Sequence, residues 1–338
     1  VAAWNSASLA WLVDFDSAPA RSASGGRIGH ADIERVRTTT DFFARLDNQY
    51  GGGHARRSLV QFLRSDLAIL LRGNYSDETA ASLFSVGAEA TLLAAWMSYD
   101  AGLNGLAQRY FIQALRLACE GDDRLLAGSI LDAMSHHATT FLGKFREAAN
   151  LARAARMGTS SVATPTLSSV ATPTLTALFY AMEARAHARL GDASACDAAM
   201  SAAVREFERR KPGEGPDFLD YFDDAELGHC NRDLGRATHA TTYATQSLGE
   251  ANGEYLRSGF FATMVLADAY LDQGEGEQAC QAALRALELG EQLKSARCAA
   301  YVDEFRARLD RLGNSRVARD FRERAAEIPL WRGDNLAQ

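Results

Sequence analysis

Six glycines recur along the chain at Gly102, Gly143, Gly191, Gly235, Gly274 and Gly313, separated by 41, 48, 44, 39 and 39 residues. Five residues after each glycine stands a small side chain: Ala107, Ala148, Cys196, Ala240, Ala279 and Ala318. Seven further on stands another, at Ala114, Ala155, Ala203, Ser247, Ala286 and Ala325. Between them lies a looser slot filled by Phe111, Ala152, Met200, Ala244, Ala283 and Arg322. The clearest copy is Leu266 to Ala286, where Leu266, Ala267 and Tyr270 share one helical face before Gly274, and Ala279, Ala283 and Ala286 share one face after it. Glycine ends a helix most cheaply because it reaches left-handed backbone angles without a side chain. Small residues on the following helix let two antiparallel helices approach closely. A chain built this way is a series of helical hairpins, each too small to bury its own apolar face and obliged to stack on its neighbours.

The pattern resembles the tetratricopeptide repeat (TPR), whose second helix carries small residues at this spacing. The expected fold is therefore all-α, a right-handed TPR-like superhelix, with helices about one turn longer than the roughly 34-residue norm. Arg322 in the looser slot suits a closing, solvent-facing unit. The long step of 48 contains the octapeptide SSVATPTL twice, as Ser160 to Leu167 and Ser168 to Leu175, and removing one copy returns a step of 40. Pro165 and Pro173 predict an exposed connection there, because proline cannot continue a helix interior.

The remaining segments divide the chain into five parts. Residues 1–16 form an N-terminal helical segment with Trp4, Leu9, Trp11, Leu12 and Val13, and residues 17–29 a Ser/Ala/Gly linker with nothing to bury. Residues 30–85 are N-terminal helices that pack on the array, with helices expected from Ala31 to Tyr50 and from about Ala55 to Leu71, separated by Gly51, Gly52 and Gly53. No phosphate-binding lysine follows that glycine triplet, so it reads as a turn. A further helix from Ser76 to Ser98 leads into TPR-like repeats over 86–328, interrupted by KPGEGPD at 211–217. Pro329 ends the array before a tail over 329–338.

Composition excludes several classes of function. With 36 basic and 43 acidic residues the net charge is −7, which disfavours a phosphate-binding surface. Five cysteines are scattered without a CxxC pair, as expected of buried thiols in a reducing cytoplasm. No uninterrupted run of about 18 apolar residues is present, so neither a membrane span nor membrane association is expected. Seven histidines show no HExxH or other ligand spacing, and adjacent His136 and His137 point about 100° apart on a helix, one expected packed and the other exposed. No nucleophile elbow or nucleotide fingerprint occurs. The chain reads as a non-enzyme without cofactor or metal.

Binding is the better-supported role, because stacked hairpins expose their first helices along a concave groove. Positions six, three and two residues before each glycine would line it: Trp96, Tyr99 and Asp100; His137 and Thr140; Arg185 and Arg189; His229 and Arg232; and Asp268. Aromatic residues at one end and arginines in the middle suit an extended peptide carrying an acidic group. The Lys and Asn with which TPR carboxylate clamps hold a C-terminus are absent from these positions, which disfavours a chaperone adaptor. Arg185 and Arg232 are expected to be free for a ligand, replaceable by alanine without unfolding.

Certain phrases go beyond a generic repeat. LDNQYGGGH (Leu46 to His54), AWMSYDAG (Ala95 to Gly102), GLAQRYF (Gly105 to Phe111) and MSH (Met134 to His136), with Trp11 to Val13, resemble the C-terminal portion of actinobacterial helix-turn-helix regulators of the XRE type. In these a small DNA-binding domain precedes a TPR-like domain. The resemblance implies the sensory and dimerisation part of a cytoplasmic transcriptional regulator. It would be a homodimer that binds a peptide, small molecule or protein partner, and DNA contact would come only from an N-terminal domain outside these residues. The competing expectation is a TPR scaffold that joins proteins without sensing.

Overall fold

The computed structural model describes residues 28–160, 170–211, 222–250 and 256–333, and is helical throughout with no strand among them. The expected helix over 2–13, most of the linker and residues 161–169 of the doubled octapeptide lie outside the described residues, as does most of the 211–217 break. Two N-terminal helices come first, α1 (His30–Tyr50) and α2 (Gly52–Phe62), the latter continuing through a wider turn over Leu63–Leu67 to Leu70. Twelve helices then pair across the six glycines: α3 (Asp77–Asp100) with α4 (Asn104–Glu120), α5 (Arg124–Thr140) with α6 (Phe145–Gly158), and α7 (Pro173–Leu190) with α8 (Ala193–Glu208). After these come α9 (Phe222–Asp233) with α10 (Ala237–Glu250) and α11 (Leu256–Asp272) with α12 (Gly276–Gly290); across Gly313, α13 (Ala296–Leu309) meets α14 (Arg316–Ala325) through the Phe305 and Phe321 rings, while α14 packs mainly on α12. A last turn, α15 (Pro329–Arg332), closes the described chain.

Each of the six marker glycines has a positive φ, from 55° at Gly313 to 79° at Gly274. At Gly274 nothing lies within 4 Å of where a side chain would stand, so the backbone angle alone requires glycine. Two of the helices after the turns start at side-chain caps the sequence supplies. Asp192 accepts from the Ala195 N–H at 3.0 Å and Ser315 from the Ala318 N–H at 3.3 Å. Small residues five and twelve positions after each glycine are all buried, the largest exposure being 3% at Ser247. They form the seam along which each second helix lies against its first.

The first helices make a second, inner layer. α3, α5, α7, α9, α11 and α13 each touch the next in order, and α13 also touches α3 while α11 touches α1. The six inner helices thereby close on one another. Hydrogen bonds help hold the closure: the Lys294 N–H donates to the Tyr50 carbonyl at 2.9 Å, the Gly53 N–H donates to the Lys294 carbonyl at 3.2 Å, and Ser295 Oγ donates to Asp100 at 2.7 Å. Gly52 lies so close to α3 that a methyl group there would stand 2.7 Å from the Met97 carbonyl oxygen.

Several boundaries differ from expectation. Ile28, at the end of the supposed linker, is buried, and its N–H donates to the Asn74 carbonyl at 3.0 Å, because the apolar pocket beside Leu70 and Tyr75 accepts it. The 85/86 division falls inside α3, which serves both the N-terminal helices and the first hairpin. The second octapeptide copy is a connection only in part: Thr172 caps and Pro173 begins α7, the one helical position where proline costs nothing. Pro329 likewise begins a turn rather than ending the packing, and that turn buries Leu330 and sets Trp331 edge-on against Phe321. α3 is long and apolar enough by composition to cross a bilayer, yet over half of the apolar window, 56%, is buried within the fold.

Candidate functional site

The inner helices converge on a cluster of ionisable side chains that are almost wholly buried. Tyr99 and His137 are fully buried, Asp100 and Asp268 are 1% exposed, and Arg185, His229 and Arg232 are 3–4% exposed. Trp96, Thr140 and Arg189 are half-buried at its margin. The expectation of an open groove with freely available Arg185 and Arg232 is therefore corrected: the inner layer closes far enough for its polar residues to pair with one another.

Arg185 donates to Glu226 at 2.7 Å, and both side chains are about 5% exposed or less. Arg232 serves two carboxylates unequally. Its Nε and one terminal nitrogen donate to Asp233 at 3.0 and 2.8 Å, while Asp268 is reached only at 3.4 Å. Arg232 and its neighbours hold Asp233 below the usual carboxylate range against the cost of burial, whereas burial pushes Asp268 up to about 6 despite Arg232 and Arg308. Arg189, at the rim, stands 3.9 Å from Asp233 and over the Phe145 ring.

The phrases that carried the family resemblance meet in space. Asp100 of AWMSYDAG accepts from the Gly52 N–H at 2.8 Å and from Ser295, and Arg257 spans Asp100 and Asp47 at 3.2 and 2.9 Å. Asp47 and Gly52 belong to LDNQYGGGH, so these two phrases form the joint between the N-terminal helices and the last hairpins. Tyr99 OH lies 3.2 Å from His136 Nδ1 of MSH, and Trp96 sets its ring edge-on to Phe111 of GLAQRYF. His136 and His137 are both buried, correcting the expectation that one would be exposed. They point apart, yet Trp96 and Tyr99 pack on His136 while Tyr99 and Phe111 pack on His137.

Burial, reinforced by Arg297 for His136 and His137 and by Arg185 and Arg232 for His229, keeps these imidazoles neutral. His136 and His229 are lowered well below the ordinary value, and His137 is lowered to about 4. His137 Nε2 is 2.9 Å from Asn104 Oδ1, and His229 Nδ1 is 3.4 Å from Tyr301 OH. Burial pushes the Tyr99 phenol up to about 12. Asp132 is 93% buried by its 7% exposure, its Oδ1 has no hydrogen-bond partner, and burial raises it well above the carboxylate range, with Glu226 adding to the effect.

Sequence reasoning missed Asp132, Glu226, Arg257, Arg297 and Tyr301. Glu226 lies three residues before His229 and Asp132 four before His136, the spacings that keep side chains on one helical face. Extending the His229 face back by one turn would have found Glu226, whereas Asp132 lies on the face of His136, which the groove count did not include. Cys196 and Cys230, 34 residues apart, also come together: their thiols share a hydrogen bond that lowers the first, while burial raises the second.

Compared with known proteins, the chain matches no family model and no curated protein. A separate open cleft of about 790 Å³ lies between α10, α11, α12 and α14, lined by Leu266, Tyr270, Leu284, Arg285, Glu288 and Phe321 among others. It shares no residue with the buried cluster.

Proposed function

We propose that the six hairpins are units of a TPR-like superhelix wound tightly enough for its first and last units to meet. We propose further that this superhelix is the sensory and dimerisation part of a cytoplasmic transcriptional regulator, not an enzyme. The observation that carries the reading is the buried polar cluster where six inner helices converge. Closing helices on themselves requires only apolar contact, and each buried charge costs several kcal/mol before its partner offsets it. Charges kept at such a focus, beside neutral imidazoles and phenols able to donate or accept, suit a site whose packing a ligand biases. The resemblance to helix-turn-helix regulators supports the same reading. A ligand in the core would act on DNA through a preceding domain by shifting how tightly the last hairpins hold the first.

Native mass spectrometry of the purified chain tests both halves together. A dimer retaining a small molecule is expected, and a monomer retaining nothing would contradict the proposal. The second reading, a scaffold without sensing, is favoured by the open cleft, whose apolar floor and flanking Arg285 and Glu288 suit a partner helix. A chain that carries no ligand would shift the balance toward it.

A further inference from the structure

Several arginines sit in or beside the buried cluster, and those at its centre other than Arg297 are matched to carboxylates. Arg185 has Glu226, Arg232 has Asp233 and Asp268, and Arg257 has Asp47 and Asp100. Arg297, in the first turn of α13, is 9% exposed and has no carboxylate within ion-pair distance among the described residues. Its Nε finds no hydrogen-bond partner, and its guanidinium instead lies over two rings, 5.0 Å from the centroid of Tyr99 and 4.4 Å from that of Phe261. A guanidinium cannot shed its proton, so the charge persists where it is buried. Ring faces attract it but offset only part of the lost hydration.

We propose that Arg297 is the anchor of a buried anion site that takes a small organic monocarboxylate. A guanidinium with no ion-pair partner of its own can take an anionic one, and a planar carboxylate matches the guanidinium fork. The Tyr99 and Phe261 rings beside it suit an apolar or aromatic body rather than a hydrated phosphate. Tyr99 OH with His136 and Tyr301 OH with His229 are two neutral pairs in the same cluster, each able to turn a donor toward a bound carboxylate. Arg297 stands at the start of the last hairpin and touches a ring of the first, so filling the site would tighten the closure between them. This inference rests on the ligand-sensing reading above and narrows it to a chemical class.

The test uses the full chain and Arg297→Met, which keeps the bulk of the side chain and removes the charge. Native mass spectrometry is expected to find an organic acid retained by the wild type and lost from the variant. After dialysis, benzoate is expected to raise the melting temperature of the wild type, while its neutral analogue benzamide and inorganic phosphate do not. Arg297→Met is expected to ignore benzoate and, unliganded, to melt at or above the wild type, because an unmatched buried charge has gone. A variant that melts lower than the wild type, with benzoate acting on both alike, would show Arg297 to be a structural cation held between rings and overturn the proposal. Retention of a neutral molecule, or stabilisation by phosphate equal to that by benzoate, would overturn the monocarboxylate while leaving ligand sensing intact. No retained molecule and no response to benzoate would overturn both.

Discussion

The outer and inner layers of the same hairpins are built on opposite principles. Along the second helices, contact is made by Ala107, Ala148, Ala240, Ala279 and Ala318, side chains with no polar atoms and almost no freedom to lose. Along the first helices, contact at the centre is made by Arg185, Glu226, His229, Arg232 and Asp268, each of which requires a particular partner. The outer seam therefore depends on size and tolerates no bulk. The inner layer depends on complementarity, so losing one partner there costs more than losing the pair.

The largest departure should come from the inner joint. Asp100→Ala orphans the Gly52 N–H and the Ser295 hydroxyl and leaves Arg257 with only Asp47, for an expected loss of about 3–5 kcal/mol in urea unfolding. In the outer seam, Ala279→Leu should cost about 1–3 kcal/mol by overpacking, and an unaltered melting curve would show that the seam is looser than described.

Acid should act most strongly on the inner layer, where the buried imidazoles lie. A histidine whose folded pKa is depressed takes up its proton only in the unfolded chain, so its contribution is present above about pH 6.5 and is lost as the pH falls toward the folded value, about 4 for His137. At pH 5 His137 by itself should account for about 2 kcal/mol of lost stability. Asp268, pushed up to about 6, works in the opposite sense, since its burial penalty shrinks as it protonates. Comparing wild type with His137→Gln isolates the histidine: between pH 7 and 5 the variant's stability should fall by about 2 kcal/mol less. Parallel pH profiles would mean that His137 is solvated. The smallest effect belongs to the turns, where Gly274→Ala should cost about 1 kcal/mol through its left-handed backbone angle alone, measurable as a small fall in melting temperature.

The two layers were also unequally legible in the sequence. The outer seam could be read from the glycine phase, because small residues at fixed spacing have one efficient use, and every marked position is buried. The inner residues could be located but not understood. Counting back from each glycine placed Tyr99, Asp100, His137, Arg185, His229, Arg232 and Asp268 on the inner helices, where they are found. Whether such residues face solvent or one another depends on how far the array winds, and that is set by Gly52 against Met97, Lys294 against Tyr50 and Arg257 between Asp47 and Asp100. These contacts join residues as much as 244 positions apart, as between Tyr50 and Lys294, and no periodicity records them. Arg297 escaped because it stands at the start of α13, sixteen residues before Gly313 and far from the positions six, three and two before the glycine that the count used.

A double-mutant cycle on Arg185 and Glu226 tests most directly whether the inner layer is a closed, charge-matched core. Arg185→Met and Glu226→Leu should each cost about 3–5 kcal/mol in chemical denaturation, because each strands a buried charge. The double variant should recover most of that loss and give a coupling energy well above 1 kcal/mol. Single losses below about 1 kcal/mol with negligible coupling are what an exposed pair gives, and would contradict the closed core.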